Sequence, residues 1–227
     1  MKAHLAEFFG TVLLVMFAAS AVVGTALAFG TPSALVCGLS SGAILAAVII
    51  AFGRVSGAHV NPAFTIGLAY LGRFSWAMVP GYVAAQLAGS ACGGLIVLWL
   101  LGDGFDAGAN VPNVALGVST AMAFVFETIL SFIMMMTILL CGDADEGFAH
   151  AGAIRIGAIV GIEVMLFGPI GGAAMNPARA FGPYLARGDW TEYWAYVAGP
   201  MLGIMSAAII HKKTAAWLRD RVEASCK

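Results

Sequence analysis

The sequence predicts an all-α membrane protein with six spanning helices and two short re-entrant half-helices, arranged as two inverted repeats. Three observations carry this: a composition suited to lipid, six long apolar stretches, and an Asn-Pro-Ala triplet that occurs twice at corresponding places. Of 227 residues, 61% are hydrophobic and 10% are charged, against about 45–50% apolar and about 25% charged in soluble domains. Mean hydropathy is +0.93. A net charge of −1 offers no basic surface to nucleic acid. The 29 glycines suit close helix–helix approach in a bilayer. Cys37, Cys92, Cys141 and Cys226 have the spacing of neither a metal site nor a disulfide framework. They read as small buried hydrophobes plus one tail thiol, and no metal or cofactor is expected.

A helix needs about 20 apolar residues to cross the hydrocarbon. The qualifying stretches run over 5–29, 34–53, 76–101, 114–141, 152–168 and 190–211. The first follows Lys2 and contains Ala26-Leu27-Ala28, which mimics a signal peptide, but it is too long for one and reads as a spanning helix. Strands of a membrane barrel would alternate with period two. The run from Gly42 to Ala51 does not.

Two further apolar stretches are too short to cross. They follow Asn61-Pro62-Ala63 and Asn176-Pro177-Ala178 and end near Arg73 and Arg187. Asn is a favoured N-cap, and Pro suits the first helical turn, where its missing N–H is not needed. Each triplet therefore starts a half-helix. A broken helix at membrane depth is tolerated only inside protein or beside a wet cavity, so the pair implies a pathway.

The repeat fixes how the halves relate. The segment Ser56 to Ala63 aligns with Gly171 to Ala178, and Tyr82 to Gly89 with Tyr196 to Gly203. Glu7 in the first helix corresponds to Glu127 in the fourth. Each half holds three spans, an odd number, so the halves lie inverted and the half-helices meet tip to tip. The chain divides into a first repeat (1–112), a second (113–211) and a tail (212–227) within one channel domain.

Paired Asn-Pro-Ala motifs, the second followed by Arg179, resemble the signature of the aquaporin and glycerol-channel superfamily over essentially the whole chain. The resemblance implies the aquaporin fold, one pore per subunit, and a homotetramer. The expected partners are further copies of the chain, membrane lipids and small neutral solutes. Lys and Arg concentrate in cytoplasmic segments. Lys212, Lys213, Arg219, Arg221 and Lys227 lie in the tail, and Arg54, Arg73 and Arg155 fall on its side in a six-span count. The loop 102–113 has Asp103 and Asp106 and no base. Both termini are thus expected in the cytoplasm. The short loops point to a prokaryotic inner membrane.

The half-helix tips direct positive dipole ends to one place, and Asn61 and Asn176 add amide donors. A neutral solute with lone pairs fits there, and a cation or hopping proton meets a barrier. Arg179 is an intramembrane cation, hence a functional residue by default. The resemblance places it in the extracellular half of the pore. It also implies that Glu7 and Glu127 brace the half-helix loops, and that His59 packs beside the pore and lends a backbone carbonyl. Proton gating by His59 is the other reading. Glu163 has no equivalent acid in the first repeat and no assigned role. Met134-Met135-Met136 reads as packing or lipid-facing surface.

Counting from the two Asn residues, the resemblance puts the rest of the selectivity filter at Ser41, Val164 and Ala173, beside Arg179. Water-selective members carry Phe and His at the two helix positions, and both are small here. Glycerol facilitators place Asp after the Arg, where this chain has Ala180. The run Gly168 to Arg179, with Tyr196-Val197-Ala198-Gly199-Pro200, is most similar to the nodulin-like subfamily and its bacterial relatives. That implies a channel for water, glycerol and metalloid acids such as arsenous or boric acid, closed to ions and protons. Arg54 stands where many relatives have His. The alternatives are a water-selective aquaporin and, more remotely, a secondary transporter, which needs an ion-coordinating midplane site. An intramembrane enzyme would need paired acids or a nucleophile with its base near the Asn pair, and neither is present in the sequence.

Overall fold

Backbone N–H and C=O groups find no water in hydrocarbon and must bond within their own segment, so each apolar run becomes a helix. The structure is a computed structural model that describes the backbone of residues 1–142 and 149–225 and the side chains of 1–140 and 151–214. The tail residues Cys226 and Lys227, and the side chains of Cys141, Arg219 and Arg221, lie outside what is described. The helices are α1 (Lys2–Phe29), α2 (Ala34–Ser56), α3 (Pro62–Tyr70), α4 (Val79–Leu101), α5 (Thr120–Gly142), α6 (Ala149–Gly171), α7 (Pro177–Arg187) and α8 (Ala195–Ser225). Helices α1, α2, α4 with the preceding turn Trp76–Met78, α5 and α6 are each long and apolar enough to cross a membrane. In α8 the apolar part ends at Ile210, before His211-Lys212-Lys213; it is the sixth span. α3 and α7 are the two half-helices.

Two helix starts differ from the sequence expectation. The fourth span begins at Thr120 rather than near 114, because Val114–Leu116 forms a 3-10 turn closed by Gly117 at φ 74. The sixth begins at Ala195 rather than near 190, because residues 191–194 form turns. In both places an apolar run continues from loop into helix, and hydropathy alone does not mark the join.

The inverted symmetry appears in the packing. Helices α1 and α4 close on Gly89, where any Cβ would strike the Phe8 carbonyl. Helices α5 and α8 close on the equivalent Gly203, against the Thr128 carbonyl. Between the halves, α2 meets α6 at Gly42 and Gly157. A Cβ on Gly42 would run into the Gly157 carbonyl, and one on Gly157 into the Gly42 carbonyl. Such reciprocity is what a two-fold relation between two surfaces produces.

Gly42→Leu or Gly157→Leu therefore forces α2 and α6 apart, at the upper end of the about 1–3 kcal/mol usual for overpacking. Gly24→Ala, where an added Cβ meets nothing within 4 Å, should leave stability unchanged or raised. Thermal unfolding of the purified protein in detergent checks both.

Candidate functional site

The two half-helices begin with matching chemistry. Asn61 caps α3 at φ −153, ψ 115, and Asn176 caps α7 at φ −155, ψ 112. Asn61 Oδ1 accepts from the N–H groups of Ala63 (3.0 Å) and Phe64 (3.3 Å). Asn176 Oδ1 accepts from Ala178 N–H at 2.9 Å. The Nδ2 atoms bond across the repeat. Asn61 Nδ2 donates to the Met175 carbonyl at 3.0 Å, and Asn176 Nδ2 donates to the Val60 carbonyl at 2.8 Å. Each amide keeps its second N–H, and both Asn residues line one cavity of about 210 Å³.

The loops that lead into these caps hold unusual backbone. Ala58 and Val60 have φ of 47 and 41, and the equivalent Ala173 and Met175 have φ of 47 and 53. Non-glycine residues pay about 1–3 kcal/mol for such conformations, which persist only where the surroundings enforce them. Buried glutamates enforce these. Glu7 accepts from His59 N–H (2.9 Å), Val60 N–H (2.7 Å), Ser56 Oγ (2.7 Å) and Gln86 Nε2 (2.7 Å). Glu127 accepts from Ala174 N–H (2.7 Å) and Met175 N–H (2.6 Å).

His59 is packed rather than free. Its Nδ1 lies 3.2 Å from Thr65 Oγ1, and its ring stacks among Phe64, Phe74 and Tyr82. Met134 and Met135 are buried in the core, and Met134 reaches the cavity wall.

A second cavity of about 430 Å³ opens from residues 105–115 and the start of α2. Among the described residues, the two cavities share Ala18, Ser41, Val164, Ala173 and Arg179. The three residues counted off from the Asn pair are thus gathered with Arg179 at one neck. Arg179 is tethered there by an Nη1 bond to the Gly108 carbonyl at 3.0 Å, leaving other guanidinium N–H groups for a solute. Above the neck, Asn110 Nδ2 holds the Gly172 carbonyl at 2.6 Å, and Asn110 accepts at its own carbonyl from Tyr184 Oη at 2.9 Å. At the same end, Arg187 ion-pairs with Asp106, Asp189 and Glu192.

Sequence reasoning missed Ala18 and Asn110. Ala18 is one alanine among many in α1, and nothing distinguishes it. Asn110 sits in a loop whose folding depends on Asp106 and Ala107 at φ 55 and 52, which composition does not reveal. Asn110 and Asn113 are nevertheless the two amides of that turn-rich stretch, and both donate to carbonyls of the second repeat.

Opposed half-helix tips, a neck carrying a tethered Arg, and adjoining cavities on either side define a membrane channel of the aquaporin type. The chain belongs to the major intrinsic protein family, whose model matches residues 1–211. Family members are channels, not enzymes. Aquaporin NIP3-1 of Zea mays is 35% identical over 215 residues, covering 95% of this chain and 70% of that protein. Aquaporin NIP1-4 of Oryza sativa subsp. japonica is 34% identical over 204 residues, covering 90% and 73%. The X-ray structure of the aquaglyceroporin from Plasmodium falciparum superposes with a TM-score of 0.81 at 25% identity, covering 96% of this chain and 98% of that one. The chain is an integral multi-pass membrane protein. The expectation of a prokaryotic inner membrane gains no support, because these relatives come from plants and from Plasmodium.

Removing either brace leaves buried N–H or O–H donors unpaired at about 1–3 kcal/mol each. Glu7→Ala strands four donors and Glu127→Ala two, so Glu7→Ala should lower the unfolding midpoint further. Parallel melting curves of the two variants test the order.

Proposed function

We propose that the chain is a passive channel for small uncharged solutes: water, glycerol and metalloid acids such as arsenous or boric acid. The observation that carries this is the neck, where Ser41, Val164 and Ala173 bring small side chains to Arg179. A trihydroxide or triol loses hydration on entry and regains hydrogen bonds from the Arg179 guanidinium and the Ser41 hydroxyl. Val164 and Ala173 supply an apolar wall. A site unable to replace those bonds would reject such a solute.

Past the neck, the solute meets Asn61 and Asn176. Each presents a spare N–H, and the capped tips of α3 and α7 add their positive dipole ends. A water or hydroxyl oxygen accepts from both amides, while a cation is repelled. Glu7 and Glu127 act at one remove, holding the loops. Pro62, Ala63, Pro177 and Ala178 set the first turns. His59 acts as a packing element against Tyr82 and Thr65 rather than as a gate.

The channel works as a homotetramer in a lipid bilayer, with one pore in each subunit and both termini cytoplasmic. The charge distribution supports that orientation. Lys212 and Arg73 come together near Tyr70 and His211 at one end, whereas the other end bears the acids around Arg187. The two repeats, 1–112 and 113–211, contribute one half-pore each.

Stopped-flow light scattering on proteoliposomes tests the solute range. Glycerol and arsenous or boric acid should enter faster than into empty liposomes, linearly with concentration and without an ion gradient. Ser41→Phe with Val164→His should abolish entry of the trihydroxides and keep water flux. If the unmodified protein passes water alone, it is a water-selective aquaporin; saturable, gradient-driven entry would make it a transporter.

A further inference from the structure

The head of Arg179 is held where Nη1 donates to the Gly108 carbonyl at 3.0 Å. Its root is held by the backbone of α7, and there a side chain from α4 enters the hydrogen bonding. An α-helix pairs each C=O with the N–H four residues on. Ala178 and Gly182 are one such pair, and Ser90 stands on both partners. Ser90 Oγ donates to the Ala178 carbonyl and accepts from Gly182 N–H at 2.7 Å. The next rung cannot form, because the residue four beyond Arg179 is Pro183, which has no N–H. A side chain engaged in the ladder and a proline are the usual causes of a local bend. Tyr193 Oη donates to the Pro177 carbonyl at 3.2 Å, so the two carbonyls that precede Arg179 are both held from outside α7.

The seat under this turn is tight. Ser90 is fully buried. A Cβ on Gly182 would strike the Ser90 carbonyl, and one on Gly94, a turn further along α4, would strike the Gly182 backbone. Helices α4 and α7 thus meet backbone to backbone beside the hydroxyl. The first repeat builds the equivalent crossing without one. Ile204 stands where the second has Ser90, Phe64 where it has Arg179, and Leu68 where it has Pro183. A Cβ on Gly67, the equivalent of Gly182, would meet the Ile204 Cγ2 methyl, and Leu68 keeps its N–H. The hydroxyl and the proline therefore occur in the repeat whose half-helix carries a cation into the neck.

We propose that Ser90 is a positioning residue of the neck: its hydroxyl, bridging Ala178 and Gly182, fixes the turn of α7 from which Arg179 reaches into the pore. Held at head and root, the guanidinium keeps its remaining N–H groups in one place beside Ser41, Val164 and Ala173. Without the hydroxyl, Gly182 N–H and Ala178 C=O pair with each other as helix geometry favours. Ser90→Ala thus leaves both groups satisfied while the turn and Arg179 shift. The effect on solutes rests on the neck being the filter of the channel proposed above.

A double-mutant cycle in proteoliposomes tests this, with water and glycerol permeability measured on one preparation and the empty-liposome rates subtracted. Their ratio does not depend on how much protein inserts or stays folded. Ser90→Ala should lower the glycerol-to-water ratio about two- to tenfold, the weight of one hydrogen bond to the solute. In an Arg179→Ala background the same substitution should change the ratio no further, because residues that act through one another are non-additive. Ile204→Val, which trims the equivalent crossing in the first repeat, should leave the ratio as it is. A wild-type ratio in Ser90→Ala, an equal fall in both backgrounds, or an equal fall from Ile204→Val would overturn the proposal. If the unmodified protein passes water alone, the solute range proposed above fails, and the cycle is read on water permeability per folded subunit. Ser90→Ala should then alter that permeability only where Arg179 is present, and an equal change with and without Arg179 would overturn the role of Ser90.

Discussion

Two stretches of irregular backbone cross the middle of this protein, and everything else depends on how their N–H groups are held. Water would satisfy them at a surface, but at membrane depth only protein can. A carboxylate buried at the equivalent place in α1 and α5 does this by accepting from consecutive residues, His59 and Val60 in one repeat and Ala174 and Met175 in the other. That grip keeps Val60 and Met175 left-handed. Their carbonyls, in turn, receive the amides of Asn176 and Asn61. The exchange locks the half-helix tips together and leaves one N–H on each amide beside the cavity.

The two repeats share this scheme but use it differently. The first surrounds its glutamate with side-chain donors and packs the loop under His59, Tyr82 and Phe74. The second carries the neck, where Ala173 and Arg179 flank the cap and the loop is held from outside by Asn110. Its glutamate accepts from two backbone N–H groups alone. The functional asymmetry of the pore is therefore written in side chains that depart from the repeat, while the symmetric positions carry the architecture.

Much of this was legible in the sequence because the constraints are local or duplicated. An Asn-Pro pair announces a capped helix start, and its recurrence in register with Glu7 and Glu127 locates both halves. Counting from the Asn residues pointed to Ser41, Val164 and Ala173, and these three line both cavities together with Arg179. What stayed hidden depends on tertiary contact. Ala18 matters because α1 passes the neck, not because of its chemistry. The start of α5 is set by Gly117 in a turn, within an apolar run that looks uniformly helical. The crossed bonds between Asn side chains and opposite carbonyls require two loops to meet, which no spacing encodes.

The half-helix tips welcome lone pairs and repel positive charge at the same point. The most direct measurement records solute entry and internal pH together, in proteoliposomes loaded with a pH-sensitive dye and given a solute gradient and a proton gradient. Rapid entry of glycerol is expected, with acidification no faster than in empty liposomes. Proton entry that rises in step with glycerol flux would contradict a pore closed to positive charge.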